Sequence, residues 1–181
     1  MHDVMRKLAI VFSFLLLSAC GFHLRGDLAL PPAMQSTFIS YNGTDAGLLR
    51  SVARALALAD GGIARNPESA TAILSLPVAG VQQRVLAKDT EGRPREYEIA
   101  VVLVFRVTTP EGVILVPSQE VQRSANVVLD PTQPLANAGD VARAVESLRE
   151  EAVWDMLRRI AASDVRLPVE NGIDDPLEAR E

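Results

Sequence analysis

The residue best placed to do chemistry in this chain is Cys20, the only cysteine in 181 residues, which follows Leu17-Ser18-Ala19. Leucine, two small residues and a cysteine make up the bacterial lipobox, in which the thiol is acylated and the cysteine becomes the first residue of the mature protein. The preceding segment suits that chemistry. Arg6 and Lys7 close a short basic start, and residues 8–17 are an apolar run of ten broken only by Ser13. Such a run is too short for a bilayer, which takes about 20 apolar residues, but right for the core of a signal peptide. The plainer alternative is an ordinary secretory signal cut nearby, leaving Cys20 as a free thiol. A lone cysteine leaves no intramolecular disulfide to form.

Removal of residues 1–19 takes away Asp3, Arg6 and Lys7 and moves the formal charge from −5 to −6. An acidic body would then hang from a membrane by acyl chains, each buried methylene contributing about 0.8 kcal/mol. In the lipoproteins that this leader resembles, an aspartate after the cysteine favours retention in the inner membrane. Gly21 stands there instead, which points to the periplasmic side of the outer membrane.

The second chemistry-bearing group is cationic. Lys88, Arg93 and Arg95 are the densest basic cluster of the body, and Arg123 is positioned in sequence to join them. Guanidinium and ammonium groups of this kind bind phosphate. The same loop carries Asp89, Glu91 and Glu96, so solvated loop charges are an equal reading. The other basic residues are scattered through an acidic chain, which argues against a nucleic-acid partner.

Catalysis has little material. The two histidines, His2 and His23, fall outside the expected folded body, and no glycine-rich phosphate loop, nucleophile elbow or metal-ligand cluster is present. Asp174-Asp175 lies near the C-terminus, while Glu150-Glu151 are neighbours on an expected helix, where adjacent side chains point about 100° apart and do not converge on a substrate. Neither an enzyme, a metal nor a cofactor is expected.

The elements that must carry these groups follow from periodicity. A β-branched and aromatic run predicts a strand over 37–41, ended by Asn42-Gly43. Thr44 or Asp45 caps a helix over 46–59, with Leu48, Leu49, Val52, Ala55, Leu56 and Ala59 on one face and Asp60-Gly61-Gly62 as its stop. Strand segments over 70–76 and 78–86 meet at Pro77 and Gly80, which suggest a bend, bulge or edge position, and are followed by a polar loop over 87–96. The strand over 97–108 sets Tyr97, Ile99, Val101, Leu103, Phe105 and Val107 on one face and is apolar on both in its middle, as a central or doubly covered strand is. A turn over 109–112 returns the chain at Val113; Pro117 interrupts the return, which resumes over 120–128 with Val121, Arg123, Ala125 and Val127 alternating against polar residues.

After the loop 130–139, a helix starts near Asp140, with Val141, Val145, Leu148, Ala152, Met156 and Ile160 in its stripe. The only tryptophan, Trp154, reads as a partly buried residue at the helix boundary or as a binding anchor. The expected organisation is a signal peptide over 1–19, a lipidated lead-in over 20–35, a domain over 36–166 and a disordered acidic tail over 167–181. The domain is an α+β fold of order β-α-β-β-β-α, with two helices packed on one face of a small mixed β-sheet.

Immediately after the leader stands "CGFHLRG". In Cys20, Gly21, Phe22, Leu24 and Arg25 it resembles the start of mature lipoproteins of the LptE family, which serve lipopolysaccharide assembly. "EYEI" over 96–99, then "QRSAN" over 122–126 and "DPTQPLAN" over 130–137, follow in the order the family shows, and the resemblance extends to about Leu167. It implies the same α+β arrangement. It also implies a partner, the outer-membrane β-barrel LptD, in whose lumen the lipoprotein sits as a plug while the pair places lipopolysaccharide in the outer leaflet.

In the family, cationic residues before the "EY" strand and in the loop leading to the last helix are implicated in lipopolysaccharide binding. The first group is met by Lys88, Arg93 and Arg95, with Arg123 as an addition; in the second, Asn137 stands where a lysine is expected. The alternative reading is an auxiliary lipoprotein of another envelope lipid transporter, also held to the membrane by its lipid anchor.

Overall fold

The computed structural model describes residues 28–163. The signal segment, Cys20, the "CGFHLRG" stretch and the expected tail over 167–181 lie outside the described residues, as do both histidines.

The first strand, β1 (Thr37–Tyr41), is followed by helix α1 (Ala46–Leu58). Asp45 settles the choice of cap: its carboxylate accepts from the backbone N–H of Gly47 at 2.9 Å and of Leu48 at 3.2 Å. These are two of the donors that the first turn of a helix leaves without partners. The chain returns as β2 (Ala72–Lys88), β3 (Pro94–Thr108) and β4 (Ile114–Val128), then closes with helix α2 (Pro134–Ala162). The sheet order is β1-β2-β3-β4, with β1 parallel to β2 and the other pairs antiparallel. This is the mixed sheet expected, with β3 in its interior.

Pro77 is the bulge that was one of its expected roles, inside a continuous strand. Three boundaries differ from expectation, each for a local reason. The interruption at Pro117 is likewise a bulge inside a continuous strand. Ser75 pairs with Arg106 and Val78 with Val104, so Leu76 and Pro77 face Phe105 alone. Likewise Pro117 and Ser118 face Arg106 alone, between Val116 paired to Val107 and Gln119 paired to Phe105. A proline takes the extra, unpaired position in each strand, where its missing N–H removes no ladder bond. The loop over 87–96 shrinks to 89–93, because both strands of the hairpin continue past the apolar residues that signalled them. Helix α2 starts at Pro134 rather than near Asp140. Proline at the first helical position is favourable, and Asn137 ties the preceding loop by accepting from Asp130 N–H at 2.9 Å and donating to the Asp130 carbonyl at 2.7 Å.

Both helices cover the same sheet face. There Phe105, Leu103, Leu74, Leu56, Met156 and Ile160 are fully buried. The opposite face meets no helix among the described residues. Its distal rows are polar, pairing Arg84 with Glu98 and Asn126, and Gln82 with Ala100 and Ser124. The Arg84 guanidinium bonds the Glu98 carboxylate at 2.7 Å across that face.

The two helices are tied at the α1 cap. Arg149 donates to both oxygens of Asp45 at 2.8 Å, and also reaches Glu146. Burial works against its charge, but these carboxylates outweigh it and raise the guanidinium's pKa further. The Tyr41 hydroxyl donates to the Asp45 carbonyl at 2.7 Å; burial and the nearby Asp45 charge push that phenol up.

Candidate functional site

The cationic residues singled out by sequence separate into two places. Lys88 ends β2, Arg93 lies in the turn and Arg95 is in the first turn-side residues of β3, so these three gather at the tip of the β2–β3 hairpin. Arg123 does not join them. It pairs in register with Val101, six residues along β3 from Arg95, or roughly 20 Å at strand spacing. It also lies on the helix-facing side, where its guanidinium bonds Asp155 of α2 at 2.7 Å.

The tip is held by one carboxylate. Asp89 accepts from the N–H of Glu91 at 3.0 Å and of Arg93 at 2.8 Å, and from Arg93 Nε at 2.7 Å. Backbone bonds from Asp89 N–H to the Arg93 carbonyl and from Gly92 N–H to the Asp89 carbonyl close the turn. Gly92 takes φ +80° there, a conformation that costs glycine nothing and other L-residues free energy. Desolvation opposes the Asp89 charge, yet the hydrogen bonds and charge of Arg93 hold this carboxyl below its ordinary range.

Arg93 is therefore occupied within the turn. A second nitrogen bonds Glu91 at 2.7 Å, and the two carboxylates raise its pKa, Asp89 most. Lys88 and Arg95 form no ion pair among the described residues and remain the cations available to an outside phosphate. At the start of the β4–α2 loop the Asp130 carboxyl is lowered chiefly by its hydrogen bonds from Thr132, with the charge of Arg95 as a small addition. Asn137, where sequence resemblance expected a lysine, is engaged with Asp130 as described above and offers no charge.

Sequence reasoning also missed a network below the tip. Asp155 accepts from Arg123, Arg158 and Arg159, the last two at 3.2 Å and 3.1 Å. The helical spacings of three and four from Asp155 were a signal; the contact to Arg123, across the sheet–helix interface, had none. Among the described residues no group of three or more His, Cys, Asp or Glu is placed to hold a metal ion. No described helix is long and apolar enough to cross a membrane.

Comparison with known proteins gives this architecture a family. The family described as "LptE: Lipopolysaccharide-assembly" matches residues 28–161. A Photorhabdus laumondii protein named LPS-assembly lipoprotein LptE is 23% identical over 153 residues, covering 84% of this chain and 83% of the relative. Among solved structures, lipoprotein B from Nitrosomonas europaea superposes with a TM-score of 0.65 at 23% identity, over 78% of this chain and 91% of that one. A minor lipoprotein from Acinetobacter baumannii gives 0.60 at 11% identity, over 73% and 94%. These likenesses establish the shared fold, and the family match spans nearly every described residue: the chain belongs to the LptE family of non-enzymatic lipopolysaccharide-assembly lipoproteins.

Proposed function

We propose that this chain is acylated at Cys20, sits at the periplasmic side of the outer membrane, and plugs the lumen of the LptD β-barrel while lipopolysaccharide is placed in the outer leaflet. The observation that carries this reading is the family match over residues 28–161. Two features support it. The lumen of a membrane barrel is polar, and the sheet face left without a helix presents Gln82, Arg84, Glu98, Ser124 and Asn126. The lipobox ending at Cys20 supplies an anchor at the required membrane.

Direct contact with lipopolysaccharide falls to the hairpin tip. Lys88 and Arg95 act as the phosphate-binding cations, with Arg93 holding the turn that presents them. The test is depletion of the chain in its own bacterium, with lipopolysaccharide at the cell surface as the readout. Surface lipopolysaccharide falls and is restored by the full-length chain but not by Cys20→Ala. Undiminished surface lipopolysaccharide after depletion contradicts the reading and favours a different lipid transporter.

A further inference from the structure

The sheet face that no described helix covers changes character along its length. Its distal rows are polar, whereas from Gly80 toward the start of β2 they turn apolar. Phe38, Ile73, Thr108 and Ile114 form one row across all four strands, Val78 lies opposite Val104, and Gly80 lies opposite Val102. Val78 is 51% and Ile114 66% exposed, and the others are half-buried. The apolar part runs from Thr108 to Val102 along β3, roughly 20 Å at strand spacing. Contiguous apolar surface of this kind marks a contact with something outside the chain. A barrel lumen is polar, so seating in one accounts for the distal rows and leaves this half of the face unmatched.

Gly80 points the same way. Glycine weakens a strand interior, and where it is not in a bulge it marks a place that a ligand or another backbone approaches closely. The fold itself does not require it here. Gly80 takes no positive φ and lies between the two irregularities of β2 rather than in one, and a Cβ added to it would meet nothing within 4 Å. The missing side chain leaves Val102 as the floor of a notch open to the outside. Two rows away stands Arg106, opposite Ser75 and exposed, with apolar rows on either side of it. It forms no ion pair among the described residues, not even with Glu120, which lies opposite Val104 on the same face. A guanidinium set among valine and isoleucine side chains suits an anion that carries hydrocarbon with it.

We propose that this half-face binds the acylated, phosphorylated part of lipopolysaccharide, with a phosphate on Arg106 and an acyl chain lying over Val78, Val104 and the notch at Gly80. A phospholipid shares that chemistry; the family's role in lipopolysaccharide assembly selects between the two. The inference rests on the reading of direct lipopolysaccharide contact above and adds a second place of contact. Arg106 is eleven residues along β3 from Arg95, roughly 36 Å, so the hairpin tip and this face bind separately.

The test titrates the full-length chain, purified from its own envelope in mild detergent, with lipopolysaccharide, with the same lipopolysaccharide stripped of its acyl chains, and with phosphatidylglycerol. Gly80→Leu and Arg106→Glu are each expected to lower the affinity for intact lipopolysaccharide tenfold or more. Gly80→Leu leaves binding of the deacylated form, held by the tip, unchanged. A photoreactive residue at Val78 attaches to lipopolysaccharide in growing cells. Should Gly80→Leu fail to accumulate, Arg106→Glu and the Val78 crosslink decide, because both positions are exposed. Wild-type affinity in both variants overturns the face and leaves the tip standing. An equal loss for the deacylated form in Gly80→Leu overturns the acyl contact, as does phosphatidylglycerol bound as tightly as lipopolysaccharide or attachment of Val78 to a protein instead. Absence of lipopolysaccharide binding by the wild-type chain overturns the face and the tip together, and leaves the plug reading untouched.

Discussion

The two ends of the same three long strands behave differently. Near the start of β2, Ala72, Leu74 and Leu76 are buried under helices; past Gly80 the same strand is largely exposed, and residues 82–88 are exposed throughout. Helix α2 mirrors this, with Leu148, Ala152, Met156 and Ile160 buried and residues 134–136 exposed, Leu135 to 89%. The cause is length. Thirteen residues of α1 span about 20 Å, whereas the seventeen of β2 reach about 55 Å, so one helix covers only part of the strand. The proximal end is therefore where the fold is stabilised, and the distal end is surface held out by it.

If that division is right, substitutions at the two ends separate stability from binding. The largest effect is expected from Phe105→Ala, whose ring is fully buried beside the two proline bulges: a loss of about 3–5 kcal/mol in denaturant unfolding. Tyr97→Ala, on the same face of the same strand but nearer the tip, costs about 1–2 kcal/mol because the ring is already partly in water. Equal losses at the two positions would abolish the distinction.

Next comes the tie between the helices. Asp45→Ala removes the α1 cap and leaves Arg149 half its partners, at a cost of about 2–4 kcal/mol. A double-mutant cycle with Arg149→Met should show coupling above about 1 kcal/mol.

At the tip the order reverses. Lys88→Glu/Arg95→Glu is expected to weaken lipopolysaccharide binding by tenfold or more while stability changes by less than about 0.5 kcal/mol. Arg93→Glu acts less on binding and mainly loosens the turn, seen as faster amide exchange at Glu91 and Arg93.

The smallest effect is the pH response of that turn. The Asp89 carboxyl lies below its ordinary value of 3.8 when folded. The latch it forms is thus present above that pH and is lost only as pH falls through the lower folded value. Protection of the Arg93 amide relative to its intrinsic exchange at each pH should persist at pH 5 and fall in strongly acidic solution; a loss of protection already between pH 6 and 5 would refute the latch.

Much of this division was legible in the sequence. The alternation from Tyr97 to Val107 identified the buried face and the central strand, and Asp45 was one of two named caps. Arg123, expected to join the loop cations, instead follows Val121, Ala125 and Val127 onto the apolar face, in register with Val101 and bonded to Asp155. What the alternation did not disclose was that Asp155 sits opposite, since that pairing depends on where α2 lies over β4. Pro77 matches the bulge that was one of its expected roles, whereas Pro117, expected to interrupt its strand, is a bulge too, because a strand can absorb one residue without ending. The start of α2 lies earlier than periodicity shows because residues 134–140 carry no apolar face, none of them being buried. At the tip, composition counted three cations, whereas geometry leaves Lys88 and Arg95 available and ties Arg93 to Asp89 and Glu91.

A domain that works inside a barrel during lipopolysaccharide assembly must leave the membrane together with that barrel. Isolating the full-length chain from native outer membranes in mild detergent shows what accompanies it, and in what ratio. One large β-barrel protein in equimolar amount is expected. Recovery of the chain alone, or with an inner-membrane transport complex, would contradict it.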